Sequence, residues 1–246
     1  MLPKISVITI CYNAERWIES TILSVINQTY SNIEYIIVDG GSTDGTMAIV
    51  HKFSSPKFTI LSEPDKGIYD AMNKGLAMAT GDYVWFINAG DEIYESTTLE
   101  NLIPYFQENA DIIYGDTMLM NESHNIVGLR RKRPPEKFTW KSFRMGMTVC
   151  HQSILVSRKI APNYDLQYKI CADIDWIIRI MKQAEIICNS HRILSRFLVG
   201  GISQQREKKV WKERFTIMQR HYGLSQTLVF HFFILLRYIF KLATAE

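Results

Sequence analysis

The sequence predicts an α/β domain built on a mostly parallel central sheet with helices on both faces, followed by a helical C-terminal segment suited to a membrane surface. Three observations lead there. Short β-branched runs alternate with longer helical patterns through the first half of the chain, the rhythm of βαβ units. Polar, turn-forming stretches follow the strands, at the sheet edge where open α/β folds bind ligands. At 246 residues, with 47% hydrophobic and 12% aromatic content, the chain can bury a full core as one such domain or one with an appendage.

The elements follow in order. "ISVITI" (5–10) reads as the first strand, a helix runs from about Ala14 to Asn27, and "IEYIIV" (33–38) is the second strand. A helix begins at Thr43, "FTIL" (58–61) is the third strand, a helix spans Gly67 to Met78, and "YVWFI" (83–87) is the fourth. Right-handed crossovers align the loops after these strands on one edge. "ADIIYGD" (110–116) is a further strand, and 118–129 resembles a hairpin across Asn121 to Asn125. The basic, proline-bearing stretch from Arg130 to Trp140 reads as an exposed loop. "HQSILVS" (151–157) returns as a strand, and 172–184 has apolar residues at 174, 177, 178 and 181, a helical spacing. Residues 1–205 then form one domain in two parts (1–115 and 116–205), and 206–246 form an extension.

Charge divides the chain at that point. Residues 206–246 hold eight Lys/Arg against three Glu, so they carry more than the whole net charge of +3. Such asymmetry points to an anionic partner. The apolar run 224–240 falls short of the ~20 residues that span a bilayer and holds His231 and Arg237, so an interfacial helix on anionic headgroups fits it, with a core or dimer-forming helix pair as the plainer reading. "LPKISVITI" has too short an apolar stretch for a secretory signal. The four scattered cysteines, Cys11, Cys150, Cys171 and Cys188, suggest a reduced compartment. The expected place is the cytoplasm, peripheral on the inner face of the membrane.

The polar loops carry the chemistry. Asp39 ends the second strand and is followed by Gly40, Gly41 and Gly45, which permit tight turns and close ligand approach. A carboxylate there can accept hydrogen bonds from a base or a ribose, and no GxxxxGK[ST] or GxGxxG pattern is present. Asp44 is suited to cap the following helix. Asp91 presents a second charge on the same edge. A nucleotide diphosphate beside it calls for a divalent cation, Mn²⁺ or Mg²⁺, held by a carboxylate and the phosphate oxygens.

The stretches "SVITICYNAERWIESTILSVINQTYSNIEYIIVDGGSTDGT" and "SEPDKGIYDAMNKGLAMATGDYVWFINAGDEI" resemble the family 2 glycosyltransferases of the GT-A (nucleotide-diphospho-sugar transferase) fold, as do "CHQSILVSRKI", "CADIDWIIRI" and "FLVGGIS". The similarity is to bacterial colanic acid, O-antigen and exopolysaccharide enzymes. It implies inverting transfer of a hexosyl or N-acetylhexosaminyl group from a nucleotide-sugar, typically a UDP-sugar, to a saccharide acceptor. It also implies roles by position. Tyr12, Asn13, Glu15, Asp39, Lys66, Gly67, Asn73 and Asn88 would meet the nucleotide-sugar, Asp91 would hold the metal, and Asp173 would be the base. Asp175 is the rival, since helical spacing turns the two roughly 200° apart. His151 and Gln152 either contact the acceptor or form a satisfied polar pair at a strand start. Trp85 and Trp176 read as core.

Three positions depart from the family's pattern: Gly40 stands where a second aspartate is common, Asn88-Ala89-Gly90-Asp91 leaves one carboxylate in the metal motif, and Val199-Gly200-Gly201 lacks a histidine. A non-catalytic nucleotide-sugar binder of the same fold is the alternative. A nucleotidyltransferase would want a glycine-rich basic first loop, and nucleic acid is not an expected partner, because phosphates would meet the aspartate edge. The basic tail suits an acceptor on polyprenyl diphosphate, and a homo-oligomer fits the apolar helix.

Overall fold

The computed structural model of the chain describes residues 2–53, 55–200 and 207–243. Gly201 and Arg206 lie outside them, as does the side chain of Arg237. The central sheet runs in the order β3-β2-β1-β4-β8-β6-β9-β5, with β7 paired to β6. Its first half is parallel, as the βαβ rhythm requires: β1 (Ile5–Cys11), β2 (Ile33–Asp39), β3 (Phe58–Ser62) and β4 (Tyr83–Phe86). The register sets Cys11 beside Asp39 and Asp39 beside Ser62, so the C-terminal ends of three strands finish level. The second half is mixed. β8 (Ile154–Ser157) joins β4 antiparallel, β6 (Ile112–Met120) joins β8 antiparallel, and β9 (Ile187–Leu198) joins β6 parallel. β7 (Ile126–Leu129) closes the expected hairpin, where the amide of Asn121 donates to the Asn125 carbonyl.

Two apolar layers sandwich the sheet. One face packs α3 (Ile68–Met78) and α5 (Ala172–Met181) over Ile8, Val38 and Phe86, and includes Trp176. The other packs α1 (Ile18–Ile26), α2 (Thr46–Lys52) and α4 (Ile103–Gln107) over Val7, Ile37 and Trp85. Both tryptophans are core, as read from the sequence. β5 (Glu92–Ile93), α4 and β9 have no counterpart in the sequence reading.

The stretch from Arg130 is tied down more than an exposed loop would be. Arg130 donates to the carbonyls of Met147 and Thr148 at 3.0 and 2.7 Å. The basic extension is also more than an appendage. In α6 (Glu207–Tyr222), Ile217, Met218 and Tyr222 are buried in the main core, while α7 (Leu224–Ala243) leaves Leu224, Leu228, Val229, Phe232, Phe233 and Leu235 about half exposed. Among the described residues no helix is long and apolar enough to cross a membrane.

Candidate functional site

The loops after β1 and β2 are zipped together by their own polar groups. Asn13, in the left-handed conformation at φ 47°, accepts the Thr43 amide at 2.9 Å and gives its own amide to Ser42 Oγ at 2.8 Å. Glu15 accepts the Gly45 amide at 2.7 Å, and Asp44 accepts those of Glu15 and of Thr46, the first residue of α2. The N-cap of α2 is Gly45, and Asp44, one residue before it, satisfies the helix's first amide instead of capping it. Asn13 and Glu15 shape the loop pair, while Tyr12 stands 62% exposed above it.

Asp39 departs from expectation. It is fully buried, and its carboxylate is spent on its own turn: Oδ2 accepts the amides of Gly41 and Ser42 and the hydroxyl of Ser62, and Oδ1 accepts the Ser42 hydroxyl. The rim above the turn presents a different carboxylate. A Cβ at Gly40 would collide with Asp65 Oδ2 and come within 3.4 Å of the Tyr12 ring, so Asp65, half-buried in the loop after β3, fills the space where a second aspartate is common. Its other oxygen accepts the amide of Gly67, whose φ of 117° only glycine adopts readily, and this bends the chain into α3. Lys66 lies exposed on that bend. Sequence reasoning missed Asp65. The signal was available in the "EPDKG" turn and in the glycine at 40.

At the end of β4 the buried Asp91 carboxylate accepts the Leu198 amide at 3.0 Å and Gln152 Nε2 at 2.7 Å. Burial pushes its pKa up to about 7 against those two hydrogen bonds. Gln152 thus orients Asp91, as a satisfied polar group would. His151 is likewise turned inward. Its Nε2 meets the Tyr164 hydroxyl at 2.8 Å, its ring packs against Phe86 and Trp176, and burial lowers its pKa to about 4, so it is neutral near pH 7. Asn73 also departs from a donor-binding role. Its amide clamps Tyr164, accepting the backbone N–H at 2.7 Å and donating to the carbonyl at 3.0 Å.

Two groups on this edge fit a cation. Asp91 is a buried carboxylate with no countercharge among the described residues. Asn88 Oδ1, in the same turn, is buried with no hydrogen-bond partner. Two hard oxygens of this kind suit Mg²⁺ or Mn²⁺ completing its shell with phosphate oxygens and water. Among the described residues no group of three or more His, Cys, Asp or Glu could hold a metal unaided.

The two acidic residues of α5 have different surroundings. Asp175 is completely buried and pinned by Arg179 Nε at 2.7 Å and His221 Nε2 at 2.8 Å, with Arg220 3.9 Å away. Burial alone would raise its pKa; the His221 hydrogen bond and the Arg179 charge overrule that and hold it below the ordinary carboxylate range. Asp173, half-buried in the first turn, has no cationic partner among the described residues. Its Oδ1 accepts the Ile174 amide at 3.0 Å and lies 3.2 Å from the Tyr69 hydroxyl, which also meets the Ile170 carbonyl. Burial raises its pKa to about 6. A stack of Tyr69, Tyr164 and Trp176, with centroids 5.5 and 4.7 Å apart, joins α3 to α5 and fixes this helix start beside the donor-side loop.

The chain is similar to known proteins in sequence and in fold. The chain is 29% identical over 229 residues to a PGL/p-HBAD biosynthesis glycosyltransferase of Mycobacterium bovis, covering 89% of this chain and 86% of that protein. In fold it is similar to residues 1–349 of S. aureus TarS in complex with UDP-GlcNAc, with TM-score 0.65, 18% identity, and 89% of this chain and 67% of that one covered. It is also similar to the mannosyltransferase PcManGT of Pyrobaculum calidifontis in complex with GDP-Man and Mn²⁺, with TM-score 0.67, 17% identity, and 95% and 70% covered. The glycosyl transferase family 2 profile matches residues 6–162, well over half of the sequence, and the chain therefore belongs to that family.

Proposed function

We propose that the protein transfers a sugar, with inversion, from a nucleotide-diphospho-sugar to a hydroxyl of a saccharide acceptor, with Asp173 as the general base. The observation that carries this reading is the contrast between the two α5 carboxylates. Asp175 is consumed by ion pairs, whereas Asp173 is part-exposed with a pKa near 6, so it is ionised at neutral pH and basic enough to take a hydroxyl proton. The donor lies along the strand ends, its base over Tyr12 and Gly40 with Asp65 as acceptor for ring N–H or ribose hydroxyl, and its diphosphate toward Asp91 and Asn88. A divalent cation bound there would supply charge stabilisation to the departing diphosphate. UDP is the favoured nucleotide, since a carboxylate suits the ring N–H of uracil, and the UDP-GlcNAc complex of TarS is in keeping with that choice.

The acceptor in this reading is lipid-linked, on polyprenyl diphosphate in bacterial surface polysaccharide assembly, and the enzyme sits peripherally on the inner face of the membrane through α7. The half-exposed apolar residues of α7 and the basic excess of 206–246 support that placement. The test is Asp173→Asn, scored by sugar transfer and by calorimetric titration with UDP. Transfer should fall by about 10²–10⁴-fold, the range for a lost general base, with UDP affinity unchanged. Transfer at the wild-type rate would overturn the assignment, and absence of transfer from every UDP-, GDP- and dTDP-sugar would favour the non-catalytic binder.

A further inference from the structure

Arg214 of α6 is a cation without a counter-ion among the described residues. Its Nε and Nη2 are buried and have no hydrogen-bond partner. The guanidinium lies flat against Gly146, where an added Cβ would come within 2.6 Å of Nη2, and Gly146 holds φ 96°. Two residues earlier, Arg144 repeats the pattern. Its Nε is buried and unpartnered, its guanidinium stands 5.5 Å over the rings of Tyr222 and Phe230, and no carboxylate pairs with it among the described residues. The adjacent acid, Glu213, is turned away and accepts the amides of Lys169, Ile170 and Cys171 at 2.8–3.0 Å. Buried charged donors left without acceptors cost free energy, so two such guanidinium groups mark a place for an anion with several oxygens.

The surroundings specify which anion. Arg144 lines a cleft of about 400 Å³ with Ser225, Gln226, Val229 and Phe230 of α7. From there the exposed row Leu228, Phe232 and Leu235 continues along the helix at i, i+4, i+7 spacing. Glu213, next to Arg214 on α6, accepts the amide of Cys171 at 3.0 Å, two residues before Asp173, so this part of α6 lies at the start of α5. A ligand seated here has a phosphate at the arginines, hydrocarbon along α7 and a sugar toward the base.

We propose that Arg214 and Arg144 form the seat for the phosphate groups of a prenyl-type lipid that carries the acceptor saccharide, with its hydrocarbon chain laid on α7. The assignment rests on the lipid-linked acceptor reading above and adds the site that recognises it. The donor diphosphate is a separate anion, because none of residues 144–146, α6 or α7 contributes to the strand-end turns around Gly40 and Asp91.

The full chain is tested by flotation with phosphatidylcholine vesicles containing undecaprenyl diphosphate, with vesicles carrying phosphatidylglycerol at equal charge, and with inorganic diphosphate as competitor. Wild-type protein should prefer the prenyl diphosphate vesicles. Arg214→Met and Arg144→Met should each lose roughly tenfold or more of that preference, the worth of one charge-assisted hydrogen bond, while UDP affinity stays unchanged. Arg214→Met should not melt lower in the absence of lipid, since it removes a charge with no counter-ion among the described residues, whereas Arg144→Met also loses its ring contacts and is read by lipid preference alone. Wild-type preference retained in both variants, or a clear drop in the lipid-free melting temperature of Arg214→Met, would overturn the arginine seat alone. Equal binding of wild type to both vesicle types would overturn the lipid-linked acceptor reading with it.

Discussion

The Asp65 carboxylate occupies the volume that a side chain at Gly40 would need, so the glycine and the aspartate form one device shared between the loops after β2 and β3. An acidic group is returned to the rim of the turn from a neighbouring strand, while Asp39 stays below it and holds the turn. Asp65→Asn should therefore weaken UDP binding by roughly tenfold, the worth of a charge-assisted hydrogen bond, with little change in melting temperature. Gly40→Asp alone should both destabilise the fold and weaken binding, and Asp65→Gly in the same chain should restore part of each. Calorimetric titration and thermal melts on the three variants check this.

The activity should show an acid limb. A general base works ionised, and Asp173 has a pKa raised to about 6, so kcat/KM should rise with pH through about 6 and level off above it. Tyr69→Phe removes a hydroxyl 3.2 Å from Oδ1 that favours the ionised form, so the limb should move to higher pH while the plateau survives. A pH–rate profile of the two proteins decides it.

Cation dependence should follow Asp91. With a pKa near 7, its carboxylate is largely protonated at pH 6, and a cation must displace that proton. Mn²⁺ should raise the melting temperature at pH 8 in the presence of UDP, less so at pH 6, and hardly at all without nucleotide, since Asp91 and Asn88 supply too few ligands alone. Gln152→Ala removes a hydrogen bond that favours the ionised Asp91, so the proton is held more tightly and the Mn²⁺ effect should weaken, without changing UDP affinity measured in EDTA.

The ion-pair cluster on α5 predicts a stability effect with a definite sign. Asp175 has a folded-state pKa below its unfolded value, so its contribution is fully present above about 4 and is lost as pH falls through the lower folded value. Asp175→Asn leaves Arg179 and the His221 contact without their anion and should cost about 3–5 kcal/mol at neutral pH, a drop of roughly 10 °C in melting temperature for a chain of this size. The variant should still bind UDP below its melting point. Thermal melts across pH 3–8 check both the size and the sign.

Much of this was open to reading in the chain. The parallel half of the sheet was legible because β1, β2 and β4 are continuous buried runs between glycine- and asparagine-bearing turns. β9 was not, because "ICNSHRILSR" mixes polar and apolar residues without a strict alternation and carries His191 at φ 53°. Its neighbours on β6 and β5 supply the pairing that its own pattern does not announce. The site was legible as a set of loops and less so as a set of roles. Spacing shows that Asn73, His151 and Gln152 are polar and near the edge, but only the fold shows that Asn73 and His151 both grip Tyr164 and that Gln152 turns toward Asp91.

The docking of α6 onto α5 has a practical side. Glu213 closes the N-terminal approach of α5, and His221 and Arg220 reach Asp175 and Asp165. The compositional boundary near residue 205 therefore does not mark a place to cut: a truncation there would strip α5 of its support and should leave an inert fragment. A shortened protein intended to be soluble should retain α6 and substitute the exposed apolar residues of α7 one at a time.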